Sequence, residues 1–173
     1  AREHSRDVAR AKNWPGLDIF HHFKRAGYDL QIQTSKNLEF RDMGCHFIGF
    51  DQSPFSRVRA CKEGDATFGL PYPEREAIVF DDLKKQINSQ ENGGHFILTT
   101  IDSPHYKYSW HPDFTPPFPD YYPHAFFPSS PTAEETQLIK NQYFNSLAWG
   151  DHLAKDFCDH LKDLGKYDNS III

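Results

Sequence analysis

At 173 residues, 38% hydrophobic and 25% charged, the chain has the make-up of a globular domain with a real core, which argues against intrinsic disorder. A net charge of −5, with Lys and Arg scattered among acids, leaves no basic stripe of the kind that nucleic-acid binders carry. No apolar run approaches the ~20 residues that cross a bilayer, and the N-terminal segment lacks the charged-then-apolar layout of a signal peptide, so these residues by themselves are expected to be soluble.

The opening residues, rich in Arg, Glu and Asp, read as a solvated start. Trp14-Pro15-Gly16 makes a turn. Leu17, Ile19, Phe20 and Phe23 then recur at helical spacing until Gly27, which predicts an amphipathic helix near 17–26 with a glycine cap. From Tyr28 to Thr34 the chain alternates, with Tyr28, Leu30, Ile32 and Thr34 on one face and Asp29, Gln31 and Gln33 on the other, so 28–34 reads as a strand. Cys45 to Phe50 suits a short strand, whereas Ser53 to Leu70 mixes charges and glycines without a period and reads as irregular. Pro73 opens a helix near 74–90 that buries Ile78, Val79, Leu83 and Ile87, and Asn92-Gly93-Gly94 ends it before a strand near 95–101.

Thr132 with Glu135 three residues on is a capping box, and Pro131 sits just outside it. Ile139, Tyr143, Leu147, Ala154, Phe157, Leu161 and Leu164 continue as an apolar stripe to Gly165, predicting a helix near 133–164. Lys166 to Asn169 turns the chain into Ser170-Ile171-Ile172-Ile173, which reads as a strand near 169–173 cut in mid-domain. The repeated order of helix, glycine and strand predicts an α/β fold with a mainly parallel sheet and helices on both faces. We find no internal repeat and no linker between two domains. The cysteines, Cys45, Cys61 and Cys158, have unrelated spacings without a zinc-like pairing. Small, partly buried thiols account for them, and a Cys45–Cys61 bridge is possible but not deducible.

Residues 99–128, TTIDSPHYKYSWHPDFTPPFPDYYPHAFFP, carry the most chemistry. A short β-branched run delivers Asp102, Ser103 and His105, and then prolines and aromatics forbid regular structure. Polar groups at the end of a buried strand, followed by a long ordered loop, are how open α/β sheets build sites.

The stretches IFHHFKRAGYDLQIQTS, FILTTIDSPHYKYSWHPDFTPPFP and NQYFNSLAWGDHLAKDFCDHLKDLGKYDNSIII resemble, in that order, the middle of the catalytic domain in the sulfatase-like branch of the alkaline phosphatase superfamily. Bacterial membrane-anchored sulfatase-like proteins and phosphoethanolamine transferases are the members most similar. The resemblance implies that 1–173 is the central part of one alkaline-phosphatase-like domain. It further implies a metal-dependent sulfuric or phosphoric ester hydrolase, or a phospholipid-headgroup transferase, anchored in the inner membrane with its catalytic domain outside the cytoplasm. In such families a His-containing turn follows the strand, as Asp102-Ser103-Pro104-His105 does here, and the long helix carries the pattern of Tyr143, Asn145 and Asp151. The family's first metal-binding acids and its nucleophile precede the segment matched, and an Asp-His metal pair follows it. The divalent metal (Zn, Mn or Ca) and the catalytic groups are therefore expected from the remainder of a parent domain, and the chain alone is expected to be inactive.

On this reading the substrate-binding candidates are His105, Asp102, Lys107 and Trp110, and the ligand is a small-molecule or lipid-headgroup phosphate or sulfate ester. The imidazole of His105 suits hydrogen bonding to a non-bridging oxygen, and equally suits a backbone carbonyl that holds its turn. Lys107 offers a point charge or simply an exposed side chain. Asp102 either orients His105 or caps the loop. His111 and His124 share the loop without a spacing that demands contact. Tyr106, Tyr108, Trp110, Tyr121 and Tyr122 either line a headgroup pocket or pack on their own scaffold. His152, Asp156 and His160 share one helix face, where a solvated polar surface is favoured over a metal site. The competing function is a non-catalytic binding or structural module on the same scaffold. Self-association through an exposed sheet edge is expected if the terminal strand lacks its neighbour.

Overall fold

The computed structural model describes residues 19–39, 53–89, 93–124 and 126–173, which form two compact units. The Trp14 turn, the start of the first helix at Leu17, the strand expected at Cys45–Phe50, Cys45 itself and Asn92 lie outside the described residues.

The first unit holds helix α1 (Ile19–Arg25) and strands β1 (Asp29–Thr34), β2 (Phe55–Arg59) and β3 (His95–Thr100). The strands form one parallel sheet in the order β2-β1-β3, with Leu30 opposite Phe96 and Ile32 opposite both Val58 and Leu98. Phe20 and Phe23, one helical turn apart, lay α1 on this sheet. Their rings stand 4.9 Å from Phe55 and 4.7 Å from Phe96 respectively. Gly27, at φ 86°, takes the left-handed conformation that closes α1: its N–H reaches Lys24 O and that of Tyr28 reaches Phe23 O, both at 3.0 Å.

Two sequence expectations change here. The alternation of β1 sets Gln31 and Gln33 on the face opposite Leu30, Ile32 and Thr34, yet residues of both faces are buried, as suits the central strand of a parallel sheet. The segment read as irregular contains β2. Its Phe-Ser-Arg-Val-Arg sequence is mostly exposed, as an edge strand permits, and so shows no apolar run.

The second unit contains helix α2 (Tyr72–Ser89), the loop from Ile101, helix α3 (Ala133–Asp163) and a 3₁₀ turn at Tyr167–Asn169. Pro73, Glu76, Val79, Phe80, Leu83 and Ile87 form the buried stripe of α2, where Phe80 replaces the expected Ile78. Phe80 packs with Trp149 and Leu153 of α3, and Ile101, Trp110 and Phe114 of the loop close over them. Gly150 lies against Ile101, whose methyl carbon would stand 3.4 Å from an added Cβ.

The capping box at the head of α3 is complete: Glu135 N–H donates to Thr132 Oγ1 at 3.2 Å, and Thr132 N–H to the Glu135 carboxylate at 2.8 Å. Thr132→Ala should cost about 1 kcal/mol of stability, read as a lower urea midpoint at unchanged slope. At its other end α3 closes through Gly165, at φ 65°. The strand expected at 169–173 is absent. A strand requires ladder partners, and here a 3₁₀ turn precedes residues that are extended at Ser170 but paired to no strand among the described residues, with Ile171 to Ile173 exposed.

Candidate functional site

Directly after β3, Asp102 and Ser103 are buried, and both are hydrogen-bonded to a carboxylate that sequence reasoning missed. Glu76 of α2 is fully buried. Its Oε1 accepts the backbone N–H groups of Asp102 and of Ser103, the latter at 2.7 Å, and its Oε2 accepts the Ser103 hydroxyl and, at 2.9 Å, the Trp149 indole N–H. Burial pushes the Glu76 carboxyl above its ordinary range, and the donors from Ser103, Asp102 and Trp149 oppose that push. The available signal was positional: in Pro73-x-x-Glu76-x-x-Val79-Phe80 the acid stands on the apolar stripe, where no solvated acid belongs.

Beyond this clamp the chain folds into successive turns, with His105 N–H on Asp102 O at 2.8 Å, Tyr108 N–H on His105 O at 2.9 Å and Ser109 N–H on Ser103 O at 3.1 Å. His105 is exposed, and its Nδ1 lies 2.9 Å from Tyr106 O. A carbonyl only accepts, so Nδ1 carries the proton and Nε2 of the neutral ring is an acceptor. To donate to an anionic oxygen at Nε2, His105 must be the imidazolium, which narrows the role read from sequence to the charged form.

The structure brings His105, Lys107 and Asp102 into one turn but gives them different settings. Lys107 is exposed, with Nζ 4.2 Å from the centre of the Phe126 ring. Asp102 holds the turn through its backbone, giving its N–H to Glu76 and taking His105 N–H on its carbonyl. Trp110 faces the core cluster, edge-on to Tyr121 at 4.9 Å. Tyr106 and Tyr108 pack on Phe127, at 5.3 and 5.5 Å, and His124 stands exposed against Tyr122.

One face of α3 anchors the rest of the loop. Asn145, fully buried, pairs with both backbone groups of Phe118: its Oδ1 accepts the N–H at 3.0 Å and its Nδ2 donates to the carbonyl at 2.8 Å. Asn141 Nδ2 donates to Asp120 O at 2.7 Å, Gln142 Nε2 to Tyr108 O at 3.1 Å, and Tyr122 N–H reaches Leu138 O at 3.2 Å. Tyr143 meets the Tyr108 ring at 5.1 Å, while Asp151 is exposed.

An open cleft of ≈ 460 Å³ lies beside this face, lined by His111, Asp113, Phe114, Trp149 and His152 among others. The buried indole of Trp149 stacks with both imidazoles at 5.5 Å, and Asp113 N–H donates to His111 Nδ1 at 3.2 Å. The face that carries His152, Asp156 and His160 is divided among separate partners. His152 joins the cleft, Asp156 pairs with Lys84 at 2.7 Å, and His160 Nε2 lies 2.9 Å from Asn88 Oδ1. Among the described residues no group of three His, Cys, Asp or Glu is placed to hold a metal ion. Cys61 and Cys158 are free thiols. No described helix is long and apolar enough to cross a membrane.

Compared with known proteins, residues 18–173 match the family model described as Sulfatase. No curated protein and no solved structure matches the chain.

Proposed function

The chain belongs to the sulfatase family, and from that membership we propose that it forms the central part of a catalytic domain acting on phosphate or sulfate esters, supplying the substrate side of the site. The observation that carries this reading is the His105 turn, an exposed imidazole held by backbone bonds on a buried anchor within the matched region. As the imidazolium, His105 donates through Nε2 to a non-bridging oxygen of the ester and offsets charge that grows there in the transition state. Lys107, two residues on, adds a second positive charge at the same turn. The nucleophile and the metal ligands come from the flanking parts of the domain, where a divalent ion would neutralise ester oxygens and activate the nucleophile. We place that parent at the inner membrane with its catalytic domain outside the cytoplasm, and its substrate among small-molecule or lipid-headgroup esters.

The sequence on either side of the segment tests this proposal. An upstream acidic pair with a Thr, Ser or Cys nucleophile and a downstream Asp-His are expected, and a flanking sequence without them would favour a binding module. The 173-residue chain alone, assayed on aryl phosphate and aryl sulfate with Zn, Mn or Ca added, is expected to give no hydrolysis above background. Metal-dependent turnover that survives repurification and vanishes in His105→Ala would overturn the division of labour proposed here.

A further inference from the structure

We propose that Glu76 is the positioning residue of this loop: one buried carboxylate fixes both the Asp102–Ser103 turn that presents His105 and the Trp149 indole on which His111 stacks. The argument begins with cost. A carboxylate taken out of water is expensive unless its oxygens are satisfied, and an apolar side chain on the α2 stripe would pack there without that cost. Such a side chain would strand two backbone N–H groups, a hydroxyl proton and an indole N–H, all of which Glu76 accepts. All of these partners are donors, and they come from two segments, the loop and α3. Only a group that accepts at both oxygens serves them together. Glutamine keeps one such oxygen but sets an NH₂ against the indole N–H, which has nothing to accept with.

The consequences extend past the residues that Glu76 touches. The carbonyls of Asp102 and Ser103 receive the N–H groups of His105 and Ser109, so the two residues that Glu76 holds are those on which the His105 turn is built. Trp149 carries His111 at 5.5 Å with the rings 25° from parallel, so the same carboxylate sets the wall of the cleft. Glu76 touches neither histidine and places both. Its bearing on ligand capture rests on the substrate-side reading above; its bearing on loop geometry does not.

The test compares wild type with Glu76→Gln in the ¹⁵N-labelled chain, following backbone amides and imidazole nitrogens by NMR. Glu76→Gln is expected to keep its helical circular dichroism, to lose the solvent protection of the Trp149 indole N–H, and to shift the His105 and His111 resonances while leaving His124 in place. Changes confined to Asp102, Ser103 and Trp149 would overturn the proposal, because a group that merely fills the core perturbs only its contacts. Should Glu76→Gln not fold, Ser103→Ala removes one donor from the same carboxylate and is expected to shift His105 in a folded chain; an unmoved His105 there overturns it equally. Titration with inorganic phosphate is expected to move the wild-type His105 resonances saturably, with affinity roughly tenfold weaker in Glu76→Gln. Equal affinity would overturn the role in capture. A wild-type chain that ignores phosphate would count against the substrate-side reading, and the phosphate-free shifts would still decide on Glu76.

Discussion

Replacing His105 with alanine in the complete catalytic protein is expected to lower kcat/KM by roughly tenfold to a thousandfold, the size of effect seen when one charge-stabilising contact is removed from a transition state. The side chain is exposed, and its bond from Nδ1 to Tyr106 O lies outside the core, so its removal leaves the buried clamp intact. His124→Ala is the matched control. It removes an exposed imidazole from the same loop, one that rests on Tyr122 instead of in the Asp102–His105 turn, and activity is expected to survive. Full activity in a folded His105→Ala, or its loss in His124→Ala, would mean that the site lies elsewhere in the loop.

A large loss of stability is expected at Asn145. Asn145→Leu keeps the side-chain volume but leaves both the N–H and the C=O of Phe118 without their partner, and should cost about 2–4 kcal/mol. Asn145→Asp keeps an acceptor for the N–H and sets a second oxygen against the Phe118 carbonyl, so it should lie in the same range. Asn141→Ala, which removes two exposed bonds, to Asp120 O and from Gln137 Nε2, should cost about 1 kcal/mol or less. Urea unfolding monitored by tryptophan fluorescence reads all of them. A loss at Asn145 no larger than that at Asn141 would show that the loop is held elsewhere.

The long helix α3 was readable because each of its signals is local: a capping box, an apolar stripe and a terminal glycine. The β1 strand was readable as a strand but not as a central one, since burial of Gln31 and Gln33 depends on neighbours that alternation cannot reveal. Edge strand β2 escaped because an exposed strand need not be apolar, and the terminal isoleucines misled because hydrophobicity does not supply a ladder partner. At the site, the sequence placed Asp102, Ser103 and His105 just after a strand, and the structure has them in the turns that follow β3. Glu76 was invisible to a reading that assigns every helical acid to solvent. The bonding of Asn145 to Phe118 lies beyond any local pattern, since it joins residues 27 apart in the chain.

The anchors along α3 also act as a ruler. Phe118, Asp120 and Tyr122 step along the loop two residues at a time, and their partners Asn145, Asn141 and Leu138 recede by four residues and then three. Two residues of proline-rich extended chain advance about 6 Å, and one helical turn about 5.4 Å, so the two repeats run nearly in step. Between Phe118 and Tyr122, then, length itself is specified: one inserted residue would throw the downstream anchors out of phase with the helix whatever its side chain. Past the last anchor, at the exposed Ser129 and Ser130, no phase remains to be kept. Insertions and deletions acquired by descent should collect there and be missing from residues 118 to 122, while substitutions at Pro119 and Tyr121 that keep the spacing are borne more easily.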